Sequence, residues 1–209
     1  MRELIAENIC KEIKGKTILH DINLQLQSGK IYCFSGKNGS GKTMLLRTLC
    51  GLIKPSSGKI FLDGKELYKD IDRLGTIGVL IENAGLYPEF TGYENLSFLS
   101  KVQKLIGPED IRNAIRRVGL EPDDRRTFKK YSLGMKQRIL IAQAIMEKPD
   151  FLFLDEPTNA LDEQGTELIR GLIREEAARG TMVILASHEK EEMNVLADEM
   201  FQMENGRIL

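Results

Sequence analysis

Gly36-Lys37-Asn38-Gly39-Ser40-Gly41-Lys42-Thr43 is the stretch on which the fold of this chain turns. Ahead of it runs a short apolar segment, Lys30–Ser35. Behind it, Met44–Cys50 places apolar residues at helical spacing. Strand, glycine loop and helix in that order is the context of a P-loop. Gly36, Gly39 and Gly41 let the backbone turn tightly and approach oxygen atoms closely. Their N–H groups, with the N-terminus of the following helix, then face a polyphosphate. Lys42 sets a point charge on the β- and γ-phosphates, and the Thr43 hydroxyl ligates Mg²⁺. The strictness of the motif and its flanks argue against a glycine-rich turn with no ligand. A nucleoside triphosphate or a related phosphate ester is the expected occupant.

Bulk properties narrow the class. The chain has 209 residues, 42% of them hydrophobic, enough for one large domain with a substantial core. Thirty basic residues balance 31 acidic ones, for a net charge of −1. That balance gives no electrostatic case for nucleic acid. No apolar run approaches the roughly 18–20 residues that span a bilayer, and Met1-Arg2-Glu3-Leu4-Ile5 has no signal-peptide pattern. Cys10, Cys33 and Cys50 are odd in number, widely spaced and set in apolar segments. They read as reduced core cysteines of a cytosolic protein. No cluster of His and Cys suggests a metal site.

Residues 2–9 and 17–27 are expected to pair as strands across a turn at Lys14-Gly15-Lys16, since Ile22, Leu24 and Leu26 alternate with polar residues. Lys59–Leu62 and Thr76–Ile81 are further strand candidates. Beyond Glu82 the composition changes to turn signals and helical patterns, with helices expected over Tyr93–Gln103 and Glu109–Gly119. Gly134–Glu147 predicts a buried helix. Phe151–Leu154 predicts a central strand of a parallel sheet, and Thr181–Ser187 another buried strand. Asp162 is placed to cap a helix with a Leu168, Ile169, Leu172 and Ile173 stripe. A short helix and a hairpin at Asn205-Gly206 finish the chain. The expected fold is α/β: a P-loop NTPase core with a mainly parallel sheet, an antiparallel β subdomain and an inserted α-helical subdomain. The expected organisation is one domain over 1–209, with residues 1–82 and 136–209 forming the core and 83–135 the inserted lobe.

The apolar strand Phe151–Leu154 ends in Asp155-Glu156. Carboxylates at the C-terminal end of such a strand sit where α/β sheets place ligands. Asp155 is suited to share Mg²⁺ with Thr43, which leaves Glu156 to orient or deprotonate an attacking water. His188, at the end of a neighbouring strand, is suited to sense a γ-phosphate; alone it would be an incidental histidine.

With these motifs in order, the chain resembles the ATP-binding subunit of an ABC transporter over essentially its full length. The P-loop is Gly36–Thr43, and the Q-loop region is Ile81-Glu82-Asn83-Ala84-Gly85-Leu86-Tyr87-Pro88. The signature is Tyr131-Ser132-Leu133-Gly134-Met135-Lys136-Gln137-Arg138. The Walker B strand is Phe151–Glu156, and Pro157–Asp162 is similar to the D-loop. His188 matches the family's switch histidine. Ser132 and Gly134 stand at the start of a helix, a second anion site. The resemblance implies ATP and Mg²⁺ as ligands, Glu156 as base and His188 as switch, with Thr43, Asp155 and Glu82 around the metal. It also implies a head-to-tail homo- or heterodimer, in which Ser132 and Gly134 of one subunit close over ATP on the other. A transmembrane permease subunit is the further implied partner, with the chain cytoplasmic and peripheral at the inner face of the cell membrane.

Three departures stand out. The family's Ser-Gly-Gly-Gln is here Ser132-Leu133-Gly134-Met135, and the Q-loop glutamine is Glu82. Both resemble the branch that exports, or confers resistance to, antimicrobial peptides such as lantibiotics and bacitracin. Ile13 stands where the family stacks an aromatic on adenine, which implies weaker base selectivity. Tyr87, Phe90, Tyr93 and Phe98 fit either the core of the lobe or a groove for a membrane-subunit helix. Asp123–Arg126 with Lys129 and Lys130 reads as a solvated face, or as the approach to the signature. A DNA- or ribosome-acting relative would need a coiled-coil insertion or two fused halves. A small-molecule kinase would not need Tyr131–Arg138.

Overall fold

The computed structural model describes residues 2–81, 85–188 and 195–209. In chain order the strands β1 (Glu3–Ile13), β2 (Lys16–Gln27) and β3 (Ile31–Ser35) lead into helix α1 (Lys42–Leu49). β4 (Ser57–Leu62), β5 (Lys65–Glu66) and β6 (Ile77–Leu80) follow, then α2 (Gly92–Gln103), α3 (Pro108–Arg117), a short 3₁₀ turn at Phe128–Lys130 and α4 (Leu133–Ile145). The chain closes with β7 (Phe151–Asp155), α5 (Glu163–Ala178), β8 (Met182–Ser187), β9 (Glu199–Glu204) and β10 (Arg207–Ile208).

Two sheets result. One is antiparallel, in the order β2-β1-β4-β5; the other runs β10-β9-β3-β8-β7-β6 and is parallel from β9 to β6. Both faces of its central strands are covered, which is why they read as continuous apolar runs. Ile31, Cys33, Leu152, Leu154, Val183 and Leu185 point into a core shared with α3, α4 and α5. Their strand neighbours Tyr32, Phe34, Phe151, Phe153, Met182 and Ile184 point into a second core with α1 and the antiparallel sheet. The alternation of Cβ directions along a strand thus assigns one sheet to two cores.

Several boundaries differ from expectation. β1 runs to Ile13 rather than to residue 9, crossing register shifts near Asn8, whose φ is 50°. Its exposed polar end is held by pairing to β2, through the Lys14-Gly15 turn with φ of 50° and 75°. α4 starts one residue early and stops at Ile145. In α5, Ile169, Leu172 and Ile173 are buried but Leu168 is exposed. The side chain of Asp162 caps α5, accepting from Gly165 N at 2.8 Å. Part of the short helix expected after His188 lies outside the described residues, whereas the hairpin at Asn205-Gly206 is present. Arg117 at the end of α3 donates to Glu176 on α5 at 2.6 Å, and Arg179 pairs with the same carboxylate. Glu176 is only 1% exposed, so two guanidinium partners offset the desolvation of one charge.

Candidate nucleotide site

β3, β8 and β7 end together, with Ser35 opposite Ser187 and Asp155 opposite Ala186. The P-loop leaves this edge at Ser35 and enters α1, whose N-cap is Gly41 at φ 105°. No side chain caps α1 and no acidic residue lies in its first turn. Its first amides are therefore open to an anion. Lys42 is 5% exposed and donates from Nζ to Gly36 O at 2.6 Å and to Lys37 O at 3.3 Å. A Cβ on Gly36 would overlap Met203 O, so that position admits only glycine. The Ser40 hydroxyl, packed against Gly36, is buried without a hydrogen-bond partner. Gly206 N donates to Ser40 O at 2.8 Å, and His20 N donates to Gly206 O at 2.8 Å. The β9–β10 turn thereby braces the loop from the side.

The predicted chemical residues gather beside it. Thr43 Oγ1 donates to Asp155 Oδ2 at 2.5 Å. Glu156 lies 2.9 Å, Oε1 to Nδ1, from the half-exposed His188. Glu156 has φ 50°, unusual for a residue other than glycine, and its N–H donates to Ala186 O at 2.8 Å. A cleft of about 460 Å³ is lined by Asn38, Gly39, Gly41, Lys42, Thr43, Asp155 and Glu156, with Lys16, Ile18, Met44 and Arg47 at its sides. A second, of about 640 Å³, lies across the loop and is lined by Gly36–Ser40, His188 and Gln202–Asn205. The first contains no aromatic residue, and Ile13 does not line it.

Ser132 and Gly134 are not brought to either cleft. Ser132 caps α4 by accepting from Met135 N at 3.2 Å, and the neighbouring Leu133 is 72% exposed. A Cβ on Gly134 would come within 3.0 Å of Ala160 O, so the loop after β7 packs closely on the start of α4. Glu82 lies outside the described residues. Among the described residues no cluster of three His, Cys, Asp or Glu could enclose a metal, and no helix is long and apolar enough to cross a membrane. Two functional contacts were not legible in the sequence: the brace from Gly206, and Gln137 on α4, whose Nε2 donates to Glu156 O and Pro157 O at 3.0 Å each. Gln137 stands inside the quoted signature, but nothing in its spacing names its target.

Tyr87, Phe90 and Phe98 form an exposed cluster with ring centroids 5.0–6.5 Å apart. Tyr93 instead packs against the core, under Arg112. In the charged stretch, Asp123 pairs with Arg112 and Asp124 with Arg126, as expected of a solvated face.

The sequence model of the ABC transporter family matches residues 19–159. The chain belongs to that family. An uncharacterized ABC transporter ATP-binding protein of Bacillus subtilis (strain 168) is 47% identical over 201 residues, covering 96% of this chain and 92% of the relative. The bacitracin transport ATP-binding protein of Enterococcus faecalis is 38% identical over 206 residues, covering 98% and 67%. Among solved structures, a dimeric ATP-binding cassette in a post-hydrolysis state, bound to ADP and Pi, superposes with a TM-score of 0.87 at 24% identity, covering 98% and 96% of the two chains. The motif-based resemblance and the α/β P-loop fold are thus borne out. This ABC transporter chain is the ATP-binding, ATP-hydrolysing subunit.

Proposed function

We propose that two such subunits close head to tail around two molecules of MgATP and drive a substrate through a separate membrane permease. The observation that carries the roles is a pair of contacts beside the P-loop: Thr43 to Asp155 at 2.5 Å, and Glu156 at 2.9 Å from His188, which lines the neighbouring cleft. Lys42 and the amides of Gly36–Thr43 hold the β- and γ-phosphates. A hydroxyl and a carboxylate side by side are hard oxygen donors of the kind Mg²⁺ takes, so Thr43 and Asp155, with Glu82, hold the metal. Mg²⁺, when bound, neutralises charge on the phosphate oxygens. Glu156 accepts the proton of the attacking water, and His188 fixes the Glu156 carboxylate and meets the γ-phosphate.

Ser132 and Gly134 serve the triphosphate held by the other subunit. Their separation from both clefts of their own chain supports this use in trans. Residues 83–135 form a lobe inserted between core segments 1–82 and 136–209. Its exposed Tyr87, Phe90 and Phe98 cluster receives a helix of the permease. A relative that serves bacitracin transport points to a peptide antibiotic as cargo, and docking on a permease sets the subunit at the cytoplasmic face of the cell membrane. Glu156→Gln tests the core of this assignment. ATP binding persists, turnover falls by roughly 10²–10⁴-fold, the range of a lost general base, and an ATP-dependent dimer accumulates on gel filtration. Unchanged turnover would overturn it.

A further inference from the structure

We infer that Gln137 is a positioning residue for Glu156, an assignment that rests on the role proposed for Glu156 above. Glu156 holds its left-handed φ of 50° immediately before Pro157, a residue that further narrows the conformations open to it. Such a conformation persists only where neighbours over-determine it. Three groups do so. The N–H of Glu156 is tied to Ala186 O on β8, and its carbonyl accepts from Asn159 N at 3.2 Å. The same carbonyl accepts from Gln137 Nε2 at 3.0 Å, and Gln137 also reaches Pro157 O at 3.0 Å. Both amide hydrogens of one side chain are thus spent on two successive carbonyls.

Gln137 is half-buried and projects from α4, the helix that Ser132 caps. The two carbonyls therefore follow α4, and α4 follows whatever its N-terminus meets. Seating of Ser132 on the partner's nucleotide sets the turn that aims Glu156 at the chain's own nucleotide. Gln137 touches neither nucleotide; it acts through the Glu156 backbone.

Steady-state ATP hydrolysis by three variants tests this. Gln137→Met keeps the length and removes the donor; kcat falls about tenfold with KM for ATP within about twofold, the signature of a misaligned reacting group. Gln137→Lys restores a donor and returns kcat to within about threefold of the parent chain. Thermal melting of each variant checks that it is folded. Unaltered kcat in Gln137→Met, a raised KM at unchanged kcat, or a folded Gln137→Lys no faster than Gln137→Met would each overturn the inference. A parent chain that fails to hydrolyse ATP, with no dimer trapped by Glu156→Gln, would instead overturn the proposed function beneath it.

Discussion

α2, α3 and α5 begin with carboxylates, whereas α1 and α4 do not. Glu94 closes a capping box with Thr91 at α2, Glu109 and Asp110 sit in the first turn of α3, and Asp162 and Glu163 open α5. The first turns of α1 and α4 carry no acid at all. A helix N-terminus carries partial positive charge and unpaired N–H groups, which an acidic side chain ordinarily satisfies. Where the chain withholds that acid, a ligand anion can take its place. The two bare ends are the P-loop helix and the signature helix. They also differ from each other. The end of α1 is recessed, capped by Gly41 and braced by Gly206; that of α4 is self-capped by Ser132 and presents Leu133 to solvent. One is recessed within its own subunit; the other faces outward, as the use in trans proposed above requires.

Putting an acid where α4 lacks one is the sharpest way to break this contrast. Aspartate caps as well as serine, so Ser132→Asp leaves the helix intact. Its charge opposes the partner's triphosphate, and turnover falls about a hundredfold, as a like-charge contact costing several kcal/mol would require. Nucleotide binding by the monomeric subunit at its own P-loop, followed with fluorescent ATP, stays unchanged. Turnover equal to that of the parent chain would mean that α4 meets no phosphate.

A smaller effect concerns the far end of the α1 cleft. With no ring among its lining residues, the cleft is expected to hold a nucleotide by its phosphates and to leave the base loosely held. ATP and GTP are expected to have KM values within about threefold of each other, because base–aromatic stacking, worth about 1–3 kcal/mol, is missing. A strong ATP preference in the parent chain would count against this.

The smallest effect lies at an acid-capped end. Thr91→Ala removes the α2 cap and lowers stability by about 1 kcal/mol in urea unfolding, with kcat untouched. The Thr91 amide, and then its hydroxyl, hold the Glu94 carboxyl below its ordinary value. A depressed carboxyl stabilises the fold above its unfolded pKa and loses that contribution as pH falls through the folded value. The gap between Thr91→Ala and the parent chain therefore narrows under acid.

How far the sequence spoke follows the range of the forces involved. Gly36–Thr43, the Phe151–Asp155 strand and the Asp162 cap were legible because each rests on local spacing or on a run buried on both faces. The β1 extension to Ile13 was not, since Glu12 and Ile13 are exposed and tertiary contacts, pairing with β2 and the bond from Glu12 N to Ser56 Oγ, keep them extended. Leu168 fits the α5 stripe by period, yet it lies at the exposed border of that face. The Thr43–Asp155 contact was foreseeable from the motif pair. The Gln137 link to the Glu156 carbonyl was not, because a bond to backbone leaves no complementary side chain to recognise.

The brace on the P-loop bears on biosynthesis. Met203 O and the Gly206 amide, which hem in Gly36 and Ser40, belong to a hairpin translated long after the loop it supports. A nascent chain emerging from the ribosome carries the complete glycine motif before it carries the hairpin that sets it. Nucleotide binding by a stalled nascent chain is therefore expected to appear only once that hairpin has been made.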